Sequence, residues 1–234
     1  MWVRIKFICD KKNLLSILDA PVSAKTNIPS WFNKTPKYLN NTQSIDNNGD
    51  PTSTIRNCMP VTDSITAGYH ICLPCDVWVE TPLKFKWSSD DIKVVIPNDN
   101  RRNEYYPIPN EFYPMFFKWI NQWIINTPKG YSCLLTHPMH QDLPFQSLPS
   151  IVDTDKHPTP INIPFMLRKD FTGLIPKGTP FVQVIPFKRE KIVASFTYDK
   201  GYFRNTWAKA HAHFFDRYKR FFRSEKVFKC PFAE

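Results

Sequence analysis

Three short stretches of this chain hold residue types that could do chemistry. The first, "SITAGYHICLPCD" at residues 64–76, brings His70 close to the pair Cys72 and Cys75. Cys-x-x-Cys spacing suits a redox couple, but such a couple needs a helix N-terminus to lower the first thiol's pKa. A structural zinc would need a second close ligand pair beyond Cys58 and His70, and the sequence offers none at the right spacing. Pro74 and the flanking Ile71, Val77 and Val79 predict strands here, so buried structural cysteines are the preferred reading and no metal ligand is assigned. The second stretch, "SIVDTDKH" at 150–157, gathers Asp153, Asp155 and His157 as an acid/base cluster would, although Asp-x-Asp before Pro158 also writes an ordinary turn. The third, His140-Gln-Asp142, matches the His-x-Asp part of an Fe(II) facial triad, with His211 as the distal histidine. That chemistry wants His211 on a strand, whereas the pattern around it predicts a helix.

The elements that must position these residues are mostly strands. "MWVRIKFIC" alternates, with Val3, Ile5 and Phe7 opposite Arg4 and Lys6, and reads as a half-exposed strand. Trp31 and Phe32 in "PSWF" form a short helical start that docks on the body, and "NNTQSIDNNGDPTST" at 40–54 is the most polar run and reads as a loop. Residues 58–87 read as strands turned at Pro74 and Pro82. Residues 110–126 place Phe112, Phe116, Trp119, Ile120 and Trp123 at steps of three and four, which predicts a helical insertion. From 130 to 190, short apolar runs recur every eight to twelve residues between Pro, Gly and Asp, as in a sandwich or barrel.

The 234-residue chain carries 31 Lys+Arg against 21 Asp+Glu, a formal charge of +10, so acidic partners are favoured. Eight basic and three acidic residues fall in 201–234. There Trp207, His211, Phe214, Tyr218 and Phe221 recur at helical spacing between basic residues, predicting a basic amphipathic helix. Its Arg217, Arg220 and Arg223 are candidates for contacting nucleic-acid phosphates or a protein partner. The aromatic stripe itself reads as packing. No apolar stretch approaches the roughly 20 residues that cross a bilayer, so membrane insertion is not expected. The opening residues interrupt their apolar run with charge, unlike a secretory leader, and the six cysteines suit a reducing compartment.

Four stretches fall in the order used by the deoxyuridine triphosphatase and deoxycytidine triphosphate deaminase superfamily, a trimeric β-fold often called a β-clip. "TAGYHI" (66–71) resembles its first motif, an Ala-Gly-Tyr-Asp turn, and "GYSCLL" (130–135) occupies the place of its second, an Arg-Ser phosphate-contacting strand. "SIVDTD" (150–155) is similar to the third, which carries a water-activating or base-reading aspartate. "LIPKGTPFVQVIPF" (174–187) resembles the fourth, a Gly-x-x-x-x-Gln-Leu strand. The resemblance implies Asp153 as catalytic base, and Gly68, His70 and Gln183 as ligand-binding residues. Only Asp153 and Gln183 match residue by residue. His70 stands where the family has an acid, Tyr131 or a neighbour where it has an arginine, and no Gly-rich clamp follows Glu190. A triphosphate needs several cations and N–H groups around its oxygens, so these departures imply a scaffold that has lost its nucleotide chemistry.

A second resemblance is closer over its length. "PSWFNKTPK", "IRNCMPVTDSITAGYHICLPCDV", "GYSCLLTHP", "PINIPF" and "LIPKGTPFVQVIPFKRE" look like a family of uncharacterised proteins carried by marine tailed bacteriophages, including cyanophages, and by some bacteria. It implies a viral origin, acting in the virion or the host cytoplasm, with a virion or host protein as partner. The expectation is therefore a mainly β (α+β) protein, β-clip-like, with a helical insertion near 110–126. Residues 1–57 form an N-terminal strand and docking arm, 58–200 the β-rich core, and 201–234 the basic helix. Its role is binding or assembly, without a cofactor and with self-association, a trimer included. The alternatives are a divergent nucleotide-processing enzyme and a nucleic-acid-binding protein.

Overall fold

The run of aromatic and β-branched residues that fills the middle of the sequence folds into antiparallel sheets that share one core. The computed structural model describes residues 3–9, 11–39, 52–81, 84–96, 105–202 and 217–229. In chain order the described elements are β1 (Lys6–Ile8), β2 (Val22–Ser23), α1 (Ser30–Lys34), α2 (Met59–Ile65), β3 (Tyr69–Cys72), β4 (Val77–Thr81), β5 (Lys84–Trp87), β6 (Val95–Ile96) and β7 (Phe117–Trp119). They continue with β8 (Ile124–Asn126), β9 (Tyr131–Thr136), β10 (Phe145–Ser147), β11 (Ser150–Val152), β12 (Ile163–Leu167), β13 (Gly173–Ile175), β14 (Pro180–Lys188) and α3 (Arg217–Phe221). The protein is mainly β.

The largest sheet has five strands in the order β11-β9-β14-β3-β2; a second runs β10-β12-β7-β6, a third β13-β4-β5, and β1 pairs with β8. The nine-residue β14 lies in the middle of the first sheet, antiparallel to β3 on one side and β9 on the other. A central strand is covered on both faces, which is why its first five residues are all buried rather than alternating. A register shift between Pro180 and Val182 sends Phe181 toward Trp119.

Aromatic packing lines the inner face of the four-stranded sheet, and from there Phe85 of β5 and, through Trp119, Phe181 of β14 bring in the two neighbouring sheets. Trp119 stacks flat on Phe165, with centroids 4.1 Å apart and planes 10° from parallel. Phe145 meets both edge-on, and Phe85 closes the group against Phe117 and Phe165. Such pairs add to their area burial because ring edges are positive and faces negative.

The predicted helix over 110–126 is not formed. The chain there makes an isolated bridge at Phe112, then β7 and β8. The spacing of Phe116, Trp119 and Trp123 is compatible with either period, and pairing decides it: Trp119 lies opposite both Ile163 and Val95. Pro114 and the turn at Asn121 also oppose a helix. The Asn121 side chain accepts from the Trp123 N–H at 2.9 Å and donates to the Trp123 carbonyl at 2.7 Å, a local bonding pattern that competes with helix. Conversely, 59–65, expected as strand, is helical, with Pro60 in the first turn where a missing N–H costs nothing.

The N-terminal residues are woven into these sheets through β1 and β2, and Phe32 is buried while the Trp31 indole donates to the His140 carbonyl at 2.8 Å. Of the polar run at 40–54, only 52–54 lies among the described residues, where Ser53 bridges to Tyr38. Of the predicted C-terminal helix, Arg217–Phe221 is helical, while 203–216 lies outside the described residues. No described helix is long and apolar enough to cross a membrane.

Phe165 is fully buried and meets Trp119, Phe145, Phe117 and Phe85, so Phe165→Ala should lower the unfolding free energy by about 3–5 kcal/mol. Denaturant titration reads this directly, and a loss under about 1 kcal/mol would show that the aromatic cluster is not a main support of the core.

Candidate functional site

The turn between α2 and β3 can exist only with glycine in it. Gly68 has φ +70°, and a Cβ placed there would lie 2.0 Å from the Val184 carbonyl oxygen of β14. This close approach brings β3 against β14 in a register that sets His70 opposite Gln183. Gly68, His70 and Gln183, three of the residues expected to bind a ligand, are therefore neighbours.

Their bonding is that of a strut. The buried Gln183 side chain accepts from the Met139 N–H at 2.8 Å and donates to the carbonyls of Ser64, at 2.9 Å, and Ala67, at 2.7 Å. Ser64 lies in the last turn of α2, where helix oxygens lose their regular intrahelical partners, and Ala67 lies in the turn that follows. One amide thus ties the helix end, the 137–142 loop and the central strand together. His70 is buried, and neither ring nitrogen has a hydrogen-bond partner among the described residues. Burial pushes its pKa down from 6.5 to about 4, and the neighbouring Gln183, whose amide is engaged elsewhere, offsets this only in part. At neutral pH the ring is uncharged and cannot replace the acid of a metal-dependent nucleotide site.

Asp153 sits elsewhere on the sheet. Ser132 of β9 faces Phe187, whereas Thr136 faces Gln183; four residues of strand separate the two positions by about 13 Å. Asp153 Oδ1 accepts from Ser132 Oγ at 2.7 Å and from Arg189 at 3.0 Å, and both lower its pKa, Ser132 more. Arg189 also grips both oxygens of Asp155, which accepts a further bond from the Gly130 N–H at 2.8 Å. Arg189 and then Gly130 hold the Asp155 pKa near 2. Asp153 is thus an ionised member of a cluster that ties the loop after β11 to the end of β14. His157 turns away to the Thr159 carbonyl.

The other candidates are also engaged. Arg223 donates to both oxygens of Asp63 on α2, and Lys226 adds a bond at 2.9 Å. Asp63 is held below the usual carboxylate range, first by Arg223. The tail that follows lays Phe228 against Tyr69, and the Tyr69 hydroxyl donates to the Lys229 carbonyl. Arg220 is exposed, and Arg217 opens α3. Burial pushes the Cys72 thiol up to about 12 and raises that of Cys75, so both stay protonated. His140, in the left-handed region at φ +61°, meets Ser64, while Asp142 pairs with Arg168. The two triad positions therefore face different partners, and His211 lies outside the described residues.

A groove of about 240 Å³ lies under the tail, lined by Val3, Ile5, Tyr69, Tyr131, Pro186 and Phe228 among others. Asp153, His70 and Gln183 do not line it. Sequence reasoning missed Arg189, the centre of the charged cluster. It also missed Asp63; the signal for both was only an acid and a base far apart in sequence. No known protein family, curated protein or solved structure matches the chain.

Gly68→Ala should cost about 3 kcal/mol or more, because the added methyl meets backbone at a positive φ; an unfolding midpoint near that of the native chain would refute the close-approach argument. His70 gives a pH signature. The unfolded chain takes up this proton below pH 6.5 and the folded chain only near 4, so stability present above 6.5 is lost as pH falls toward 4, by about 3 kcal/mol. His70→Leu removes two unpartnered nitrogens and should be neutral or stabilising at pH 7, with a flatter stability profile from 6.5 to 4. An unchanged slope would show that His70 is not the group responsible.

Proposed function

We propose that this protein is a non-catalytic binding or assembly protein, working in a virion or against a host component, on a degenerate form of a nucleotide-processing scaffold. The observation that carries the reading is residues 190–202, exposed throughout. Ile192, Val193, Phe196 and Tyr198 within them are 88%, 91%, 97% and 89% exposed. Contiguous apolar surface of this kind marks an interaction site.

The polar groups support the same reading. Catalysis needs groups aimed at a reacting atom, within hydrogen-bond reach of one another or of a shared substrate. Asp153 and Gln183 lie about 13 Å apart along the sheet, and each already has protein partners. The phage-like sequence phrases support the viral setting. The charge of +10 favours an acidic partner surface, although Arg223, one of the three arginines considered for phosphate contact, is taken by Asp63.

Turnover separates this reading from the enzymatic one. Purified protein with Mg²⁺ and a panel of deoxynucleoside triphosphates should release neither pyrophosphate nor ammonia. Millimolar nucleotide should leave the melting temperature unchanged, since a ligand that binds only the folded state raises it. Hydrolysis or deamination that disappears in a folded Asp153→Asn variant would overturn the proposal.

A further inference from the structure

The exposed segment has the sequence of a strand. In "KIVASFTYD" (191–199), Ile192, Ala194, Phe196 and Tyr198 fall on one side of a two-residue repeat, and Lys191, Ser195, Thr197 and Asp199 fall with Val193 on the other. Ile, Val, Phe, Thr and Tyr are the residues that favour sheets. Yet 189–199 holds neither helix nor strand, and its side chains point into solvent. A half-apolar strand pattern placed outside every sheet is a conflict between local preference and fold, which a partner would resolve.

The root of the segment is anchored. β14 ends where Lys188 pairs with Tyr131, and the Arg189 N–H donates to the Gly130 carbonyl at 2.8 Å while its guanidinium holds Asp153 and Asp155. Those aspartates immediately follow β11, an end strand of the five-stranded sheet with no strand described on its outer side. Ile151 at the middle of β11 is 68% exposed, more than any other large apolar side chain on a described strand. By contrast the end strand β5 carries Lys84 and Lys86, paired with Glu80, the charged protection that edges usually have.

We propose that 191–199 is a donor strand that pairs with β11 of a second copy of this chain, exchanged reciprocally about a two-fold axis. This rests on the binding reading above and names its partner. A second copy is favoured because donor and acceptor leave the same corner, fastened together by Arg189. A two-fold axis beside that corner therefore sets each donor against the other copy's edge. The apolar side of the donor covers Ile151, backbone bonds complete the sheet, and Lys191 of one copy approaches the half-exposed Asp153 of the other.

Sedimentation velocity on the full chain tests this. The native protein should sediment at twice the 27.5 kDa chain mass. Phe196→Asp combined with Tyr198→Asp, and separately Ile151→Asp, should each weaken the dimer roughly a hundredfold or more. All three side chains are exposed, so the variants should melt where the native protein melts once it is diluted to monomer, and Leu174→Asp on the end strand β13 should remain dimeric. A native monomer at about 100 μM, a trimer, or a dimer that survives either set of changes overturns the exchange. Turnover measured on the same preparations distinguishes the failures. Monomers without turnover overturn the exchange alone, whereas nucleotide hydrolysis overturns the reading beneath it.

Discussion

The structure depends on a buried amide with every bond made. Gln183 lies in the central strand with no access to water, where an unpaired amide would cost several kcal/mol. It can be there because the end of α2, the turn that follows it and the 137–142 loop supply three partners, and α2 can end there because Gly68 lets the chain pass within contact of Val184. Each feature requires the others. The buried turn, the helix end and the register of β3 on β14 are one arrangement, and it leaves His70 beside it, buried and neutral.

A second fixed point stands at the opposite end of β14. Arg189 meets two aspartates, a serine, and the Tyr131 carbonyl. The geometry is bidentate at Asp155, which favours arginine over lysine. Its effect is positional: the loop after β11 is tied to the point at which β14 leaves the sheet. The third tie, Asp63 to Arg223 and Lys226, returns the C-terminal residues to α2. Acids and bases that could do chemistry are thus used to fasten strand ends and helix ends.

The mainly β class was legible because alternation and turn residues recur through most of the chain, whereas the pairing of His70 with Gln183 is set by the register of β3 on β14. What those residues do was not legible. Asp153 reads as a base in isolation, and nothing local announces that Arg189, thirty-six positions away, occupies it. The helix expected over 110–126 failed for a related reason. Apolar residues three and four apart also satisfy a strand–turn–strand path, and the choice lay with Ile163 and Val95, the partners of Trp119. Long-range pairing overrides local period wherever apolar runs are short.

The same principle, run in reverse, gives the exposed segment its meaning. At 110–126 a helical pattern became strands because strands were available to pair with. At 191–199 a strand pattern remains unpaired among the described residues. Its Ile, Phe and Tyr side chains gain nothing in water, while covering them returns about 25 cal/mol for each Å² removed. A domain core has no use for apolar side chains beyond its own surface. The alternation of 191–199 suits pairing with an open sheet edge, and the exposed side of β11 in a second copy is the edge proposed for it.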